Sequence, residues 1–162
     1  MRMVYWLFVI SAALFVSGIG FIVAGARSAP GTTLAVEAPV TTPVASVKQI
    51  MIGIVAPAAR VVFESVGTII SAAGIEERAP KTDEDWAEVG SSGAALVESG
   101  NLLVMGDRAV DREDWVKMSR ALSEAGMLVL KATEAKSADG VLAAGATVNE
   151  TCDNCHRKYQ RE

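Results

Sequence analysis

Between Arg2 and Arg27 the chain runs from Val4 to Gly25, 22 residues, without one charged side chain. As a helix this stretch is about 33 Å long at ~1.5 Å per residue, enough to cross a hydrocarbon core of about 30 Å. A cleaved secretory signal is the competing expectation, but its apolar part usually spans only about 7–15 residues. The best small-residue site, Arg27-Ser28-Ala29, also runs straight into Pro30. A buried core helix is the third reading. Residues 1–27 are therefore expected to be a single-pass transmembrane anchor, with a signal as the alternative.

The chain has 162 residues, which suggests one domain plus an appendage. Three of its five prolines, Pro30, Pro39 and Pro43, fall within residues 28–46, a threonine-rich segment of little charge. Such a composition reads as an extended tether reaching about 3 Å per residue where polyproline-like. Residues 47–162 are left to form a head of their own.

The head reads as four helices without a convincing strand. The first is expected from about Ala45 to Ala73, with Val47, Ile50, Met51, Ile54, Val55, Val62, Val66, Ile69 and Ile70 at spacings of three and four. Pro57 lies inside it and removes one hydrogen bond to Gly53, which predicts a kink; Gly74 is a plausible stop. The second opens on Thr82-Asp83-Glu84-Asp85, acids suited to a helix N-terminus, and runs to about Leu103. Its interior glycines, Gly90, Gly93 and Gly100, each cost about 1 kcal/mol against alanine, yet leave room for a neighbouring helix or a flat cofactor. The third runs from Asp111 to about Lys136, its Glu113-Asp114-Trp115 echoing Glu84-Asp85-Trp86 of the second, and the fourth from about Ala138 to Tyr159. Four such segments with shorter connections make the expected fold class all-α, an antiparallel four-helix bundle behind an N-terminal transmembrane helix.

The chain holds two cysteines and one histidine, and all three stand within five residues: Cys152, Cys155 and His156. Cys-x-x-Cys-His is the signature of covalent haem attachment. On a helix, cysteines three apart share a face, so both sulfurs reach the vinyl groups on one porphyrin edge, and His156 turns over the ring as the proximal iron ligand. Half of a zinc site lacks further cysteines and histidines to complete it. A thioredoxin-like dithiol needs a βαβ context that a helical chain does not offer. One covalent haem c is the expected cofactor, held by Cys152, Cys155 and His156. Haem is attached outside the cytoplasm, so the head is expected in the periplasm, with Arg2 on the cytoplasmic side of the inner membrane.

A single histidine excludes bis-histidine ligation within the chain. The sixth iron position falls to a methionine, another side chain, water, a gas or nothing. Beyond the anchor the methionines are Met51, Met105, Met118 and Met127. Met51 is the first choice, since the first helix of an up-down-up-down bundle neighbours the fourth; core filling is the plainer reading of such a methionine.

A single Cys-x-x-Cys-His in the last turns of a four-helix chain resembles the class II cytochromes c, the cytochrome c-prime family. The resemblance covers about Val44 to Arg161. The family continues its motif with two residues, an aromatic and an arginine; here Tyr159 supplies the aromatic, Gln160 replaces the arginine, and Arg161 stands one place late. Lys48-Gln49-Ile50-Met51 is similar to the basic-Gln pair that opens the family's first helix, with the interval to methionine one residue short. In the low-spin branch that methionine ligates iron; in the cytochrome c-prime branch the iron is five-coordinate and binds nitric oxide or carbon monoxide. The resemblance also implies that the chain can form a homodimer.

Residues 31–162 carry 19 acidic and 13 basic side chains (the 15 of the whole chain less Arg2 and Arg27), a formal net charge of −6. That balance excludes a nucleic-acid partner reached through general basic charge. Arg157, Lys158 and Arg161 cluster beside the motif, either guiding an acidic partner or, as favoured, neutralising haem propionates and the helix C-terminus. No nucleophile–base pair or paired carboxylate site stands out, so an electron carrier is expected rather than an enzyme. The expected partners are the membrane through residues 4–25 and a redox protein or membrane electron-transfer complex. The gas-binding protein and the accessory subunit are the alternatives.

Overall fold

A computed structural model describes residues 2–28 and 42–160. The chain divides into two units, Met1–Val40 and Thr41–Glu162. The described part of the first is helix α1 (Arg2–Ser28), 27 residues long. Among the described residues no helix is long and apolar enough to cross a membrane. The side chains of residues 18–28 lie outside the described ones, as do residues 29–41 of the tether, so the expected span over Val4–Gly25 falls partly beyond them.

The head begins with a helix in three pieces: α2 (Val47–Ile50), a π turn (Met51–Val55) and α3 (Ala56–Ser65). Ser46 and Gln49 open it with a reciprocal capping box. The π turn stands where the kink at Pro57 is expected. Its bond from Ala56 N–H to Met51 O spans five residues, and Pro57, at the start of α3, brings no N–H to return the ladder to Gly53. One consequence is that Ile50 and Val55, five apart, are both buried, whereas Ile52 is left exposed.

The expected continuation of this helix to Ala73, and the absence of strands, are both corrected. The helix stops at Ser65, and β1 (Gly67–Ser71) pairs antiparallel with β2 (Gly74–Arg78), in register Gly67↔Arg78 through Ser71↔Gly74. Val66 is extended and buried. Gly67 and Gly74 hold φ of 147° and 131°, which side chains rarely adopt. Between them Thr68, Ile69 and Ile70 are β-branched and suit a strand better than a helix. The 3–4 spacing of Val66, Ile69 and Ile70 was a coincidence of composition: Ile70 and its partner Ile75 face solvent.

Three long helices follow: α4 (Asp83–Val104), α5 (Asp114–Glu134) and α6 (Ala138–Tyr159). Thr82 and Asp85 form the capping box at the start of α4. The third helix begins three residues later than expected, because the Asp111 carboxylate accepts the N–H groups of Glu113 and Trp115 and so caps α5 from outside it. At the other end of α4 the orphan carbonyls of Leu102 and Leu103 are taken by Arg108 Nη1 (3.0 Å) and Trp115 Nε1 (2.8 Å).

The buried residues recur every seven: Val89, Leu96 and Leu103 on α4; Trp115, Leu122 and Val129 on α5; Val141 and Val148 on α6; Val55 and Val62 on the first helix. That repeat lets neighbouring helices interdigitate along one shared core. Helix α5 packs against both α4 and α6, and α3 touches both α4 and α6. The interior glycines of α4 serve the helix and not a flat cofactor. A Cβ on Gly93 would meet Val129 at 3.0 Å, and one on Gly100 would meet Ser123 Oγ at 2.1 Å and Ser119 O at 2.5 Å, all on α5.

Candidate cofactor site

Helix α6 carries the motif because its inward rhythm does not stop at Val148. Val141 and Val148 are buried, and the next position in that sevenfold series is Cys155. Cys152, one turn earlier, packs against the same core. Both thiols are therefore half-buried and free, whereas His156 is exposed at the edge of the helix. Burial pushes the Cys152 thiol above its ordinary value, and neighbouring Asp153 and Cys155 push it the same way. Burial alone raises Cys155. Both shifts run opposite to the lowered thiol value that a Cys-x-x-Cys oxidoreductase needs.

The motif looks across a cleft of about 380 Å³ whose opposite wall is the first helix. Met51, Val55, Ala59 and Phe63, each four residues on from the last, line that wall, and Cys152 and His156 line the facing side. Met51 and Val55 also border a narrower gap of about 30 Å³ on the inner side, with Met118, Leu122, Cys152, Cys155 and His156. Met51 and the three motif residues thus meet at one place, and Met118 joins them. Met105 and Met127 line neither space. The chain matches no protein family, no curated protein and no solved structure.

The donor set suits a covalently held porphyrin. Two thiols one turn apart stand on the inner side of one helix, an imidazole stands four residues after the first, and a thioether sulfur lies on the opposite wall. The wall between is mostly apolar, with Arg60 and Glu64 its two charged members and Ala56 and Ala59 leaving width for a flat ring. Among the described residues no three His, Cys, Asp or Glu side chains converge on a site for a lone metal ion.

Of the three basic residues beside the motif, Lys158 is paired with Asp114 at 2.5 Å and Arg157 with the Asn154 side chain. Arg161 lies outside the described residues. The two described cations are thus both held by neighbours in the chain itself. Arg60, Phe63 and Glu64 on the cleft wall carry no motif. Their only signal in the sequence is that Phe63 continues the fourfold spacing from Met51, with Arg60 and Glu64 beside it.

Proposed function

We propose that the head is a four-helix bundle carrying one covalent haem c, and that the protein is a membrane-anchored one-electron carrier resembling the class II cytochromes c. The observation that carries this reading is the meeting of Cys152, Cys155 and His156 with Met51 around the narrow inner gap. The bundle reading is supported by four helical segments that share sevenfold-spaced core residues. When bound, haem supplies a one-electron couple between ferric and ferrous iron. Cys152 and Cys155 would hold it through thioether bonds, and His156 would give the proximal nitrogen. Met51 is the first candidate for the distal sulfur and Met118 the second. Val55, Ala59 and Phe63 would keep water from the ring, which raises the share of the ligand set and the local dielectric in setting the potential. The uncharged run within α1 supports anchoring, which would hold the carrier beside membrane partners at high effective concentration.

The test is expression of the full chain with c-type cytochrome maturation, followed by optical spectroscopy. The wild type should carry haem that survives denaturation, and Cys152→Ser with Cys155→Ser should abolish attachment; a chain that stays colourless sinks the reading. A ferrous spectrum with sharp low-spin bands unmoved by carbon monoxide supports electron transfer. A high-spin spectrum shifted by carbon monoxide supports the gas-binding alternative. Met51→Ala and Met118→Ala then separate the two methionines, since only loss of the true ligand converts low-spin iron to high-spin.

A further inference from the structure

Helix ends fray, and His156 stands only one turn from the end of α6. The last turn has a single capping bond of its own, from Gln160 N–H to His156 O at 3.0 Å. Beside that bond, the helix's own ladder and the local Arg157–Asn154 contact, it is tied to the rest of the fold through Tyr159 and Lys158. The Tyr159 phenol donates to the Asp111 carboxylate, whose other oxygen accepts Trp115 N–H at 2.9 Å. The Tyr159 ring meets the Trp115 ring edge-on, with centroids 5.0 Å apart and planes at 72°. Trp115 is in turn buried and bonded to α4 through Leu103 O. Tyr159 lies one turn beyond Cys155 and three residues beyond His156, so its position sets the path of the backbone that carries both.

We propose that the Asp111–Tyr159 hydrogen bond is a latch that fixes the final turn of α6 and thereby the direction of His156, making both residues positioning residues. Asp111 suits the task because it is already immobilised as the cap of α5. The same carboxylate ties the start of one helix to the end of another. Lys158, paired with Asp114 and 5.2 Å over the Tyr159 ring, is an exposed accessory to the latch. The consequence for iron rests on the reading of His156 as its ligand; the latch itself does not.

The experiment compares the full chain with Tyr159→Phe, which keeps the ring on Trp115 and removes the donor. Asp111→Asn and Asp111→Glu accompany it, the latter as the rescuing variant. Amide exchange of residues 156–160 should quicken about tenfold in Y159F and D111N, and return toward the wild-type rate in D111E, while exchange in the middle of α5 stays unchanged. In haem-loaded protein, Y159F should also move the midpoint potential and the spin-state bands. Exchange within twofold of wild type in Y159F overturns the latch. Faster exchange with an unmoved potential and spectrum overturns its positioning role. Chain that binds no haem but shows the faster exchange retains the latch and removes the cofactor reading instead.

Discussion

Replacing Gly100 by alanine should loosen the head, although it puts the best helix former into a helix. By propensity alone the change would stabilise by about 1 kcal/mol. The new Cβ, however, falls 2.1 Å from Ser123 Oγ and 2.5 Å from Ser119 O. The serine can rotate away only by giving up its 2.8 Å bond to Val97 O across the two helices, a loss of about 1 kcal/mol. Ser119 O is backbone and cannot rotate, so α4 and α5 must separate by roughly 1 Å, with an overpacking cost of about 1–3 kcal/mol. The net expectation is a destabilisation of about 1–3 kcal/mol, a fall of roughly 4–12 °C in midpoint for a head of this size. Gly145→Ala is the matched control: its Cβ meets Phe63 Cδ1 at 3.6 Å and Val62 Cγ1 at 3.7 Å, ordinary contact. It should gain about 0.5–1 kcal/mol. Urea unfolding of the full chain, followed by far-ultraviolet circular dichroism, reads both. If Gly100→Ala is neutral or stabilising, the close approach of α4 and α5 is wrong.

Two further outcomes follow from the same packing and from the capping carboxylates. Trp115→Phe keeps the buried ring but leaves Leu103 O at the end of α4 without its donor, which should cost about 1–3 kcal/mol in the urea midpoint; a loss under ~0.5 kcal/mol would show that water replaces the indole. Asp83, Asp85 and Asp111 are each held below the ordinary carboxyl value of 3.8, by Lys136, by the N–H groups of Thr82 and Lys81, and by the Tyr159 hydroxyl respectively. Because the folded values lie below the unfolded ones, this stabilisation is complete above about pH 5 and is lost as pH falls through the unfolded and then the lowered values. The unfolding midpoint should therefore be level from pH 6 to about 5 and decline below; a midpoint that rises on acidification would contradict the assignment.

Much of this protein is written in local pattern. The acids at Thr82-Asp83-Glu84-Asp85 marked where α4 begins, and the ends expected near Leu103, Lys136 and Tyr159 fall within two residues of those of α4, α5 and α6. The chemistry of Cys152, Cys155 and His156 is likewise local, since three residues spaced along one helix turn share a face wherever that helix goes. The first helix was legible only in part. Val66, Ile69 and Ile70 have helical spacing, but Gly67 and Gly74 admit positive φ and β-branched residues stand between them, so the backbone turns into a hairpin with its isoleucines outward.

Sequence alone determined which residues could bind a cofactor and which stretches could be helices, because those properties depend on neighbours within one or two turns. It could not say what stands across from the motif. Met51 and Met118 are 101 and 34 residues from Cys152 in the chain, and only the packing of the first helix and α5 against α6 brings both to its side. The glycines of α4 were ambiguous for the same reason, until their neighbours proved to be residues of α5. Tyr159 could be named as an aromatic near the motif, but its partner Asp111 lies 48 residues away. Contacts between distant segments are set by how whole helices fill a common core, which no short window of sequence contains.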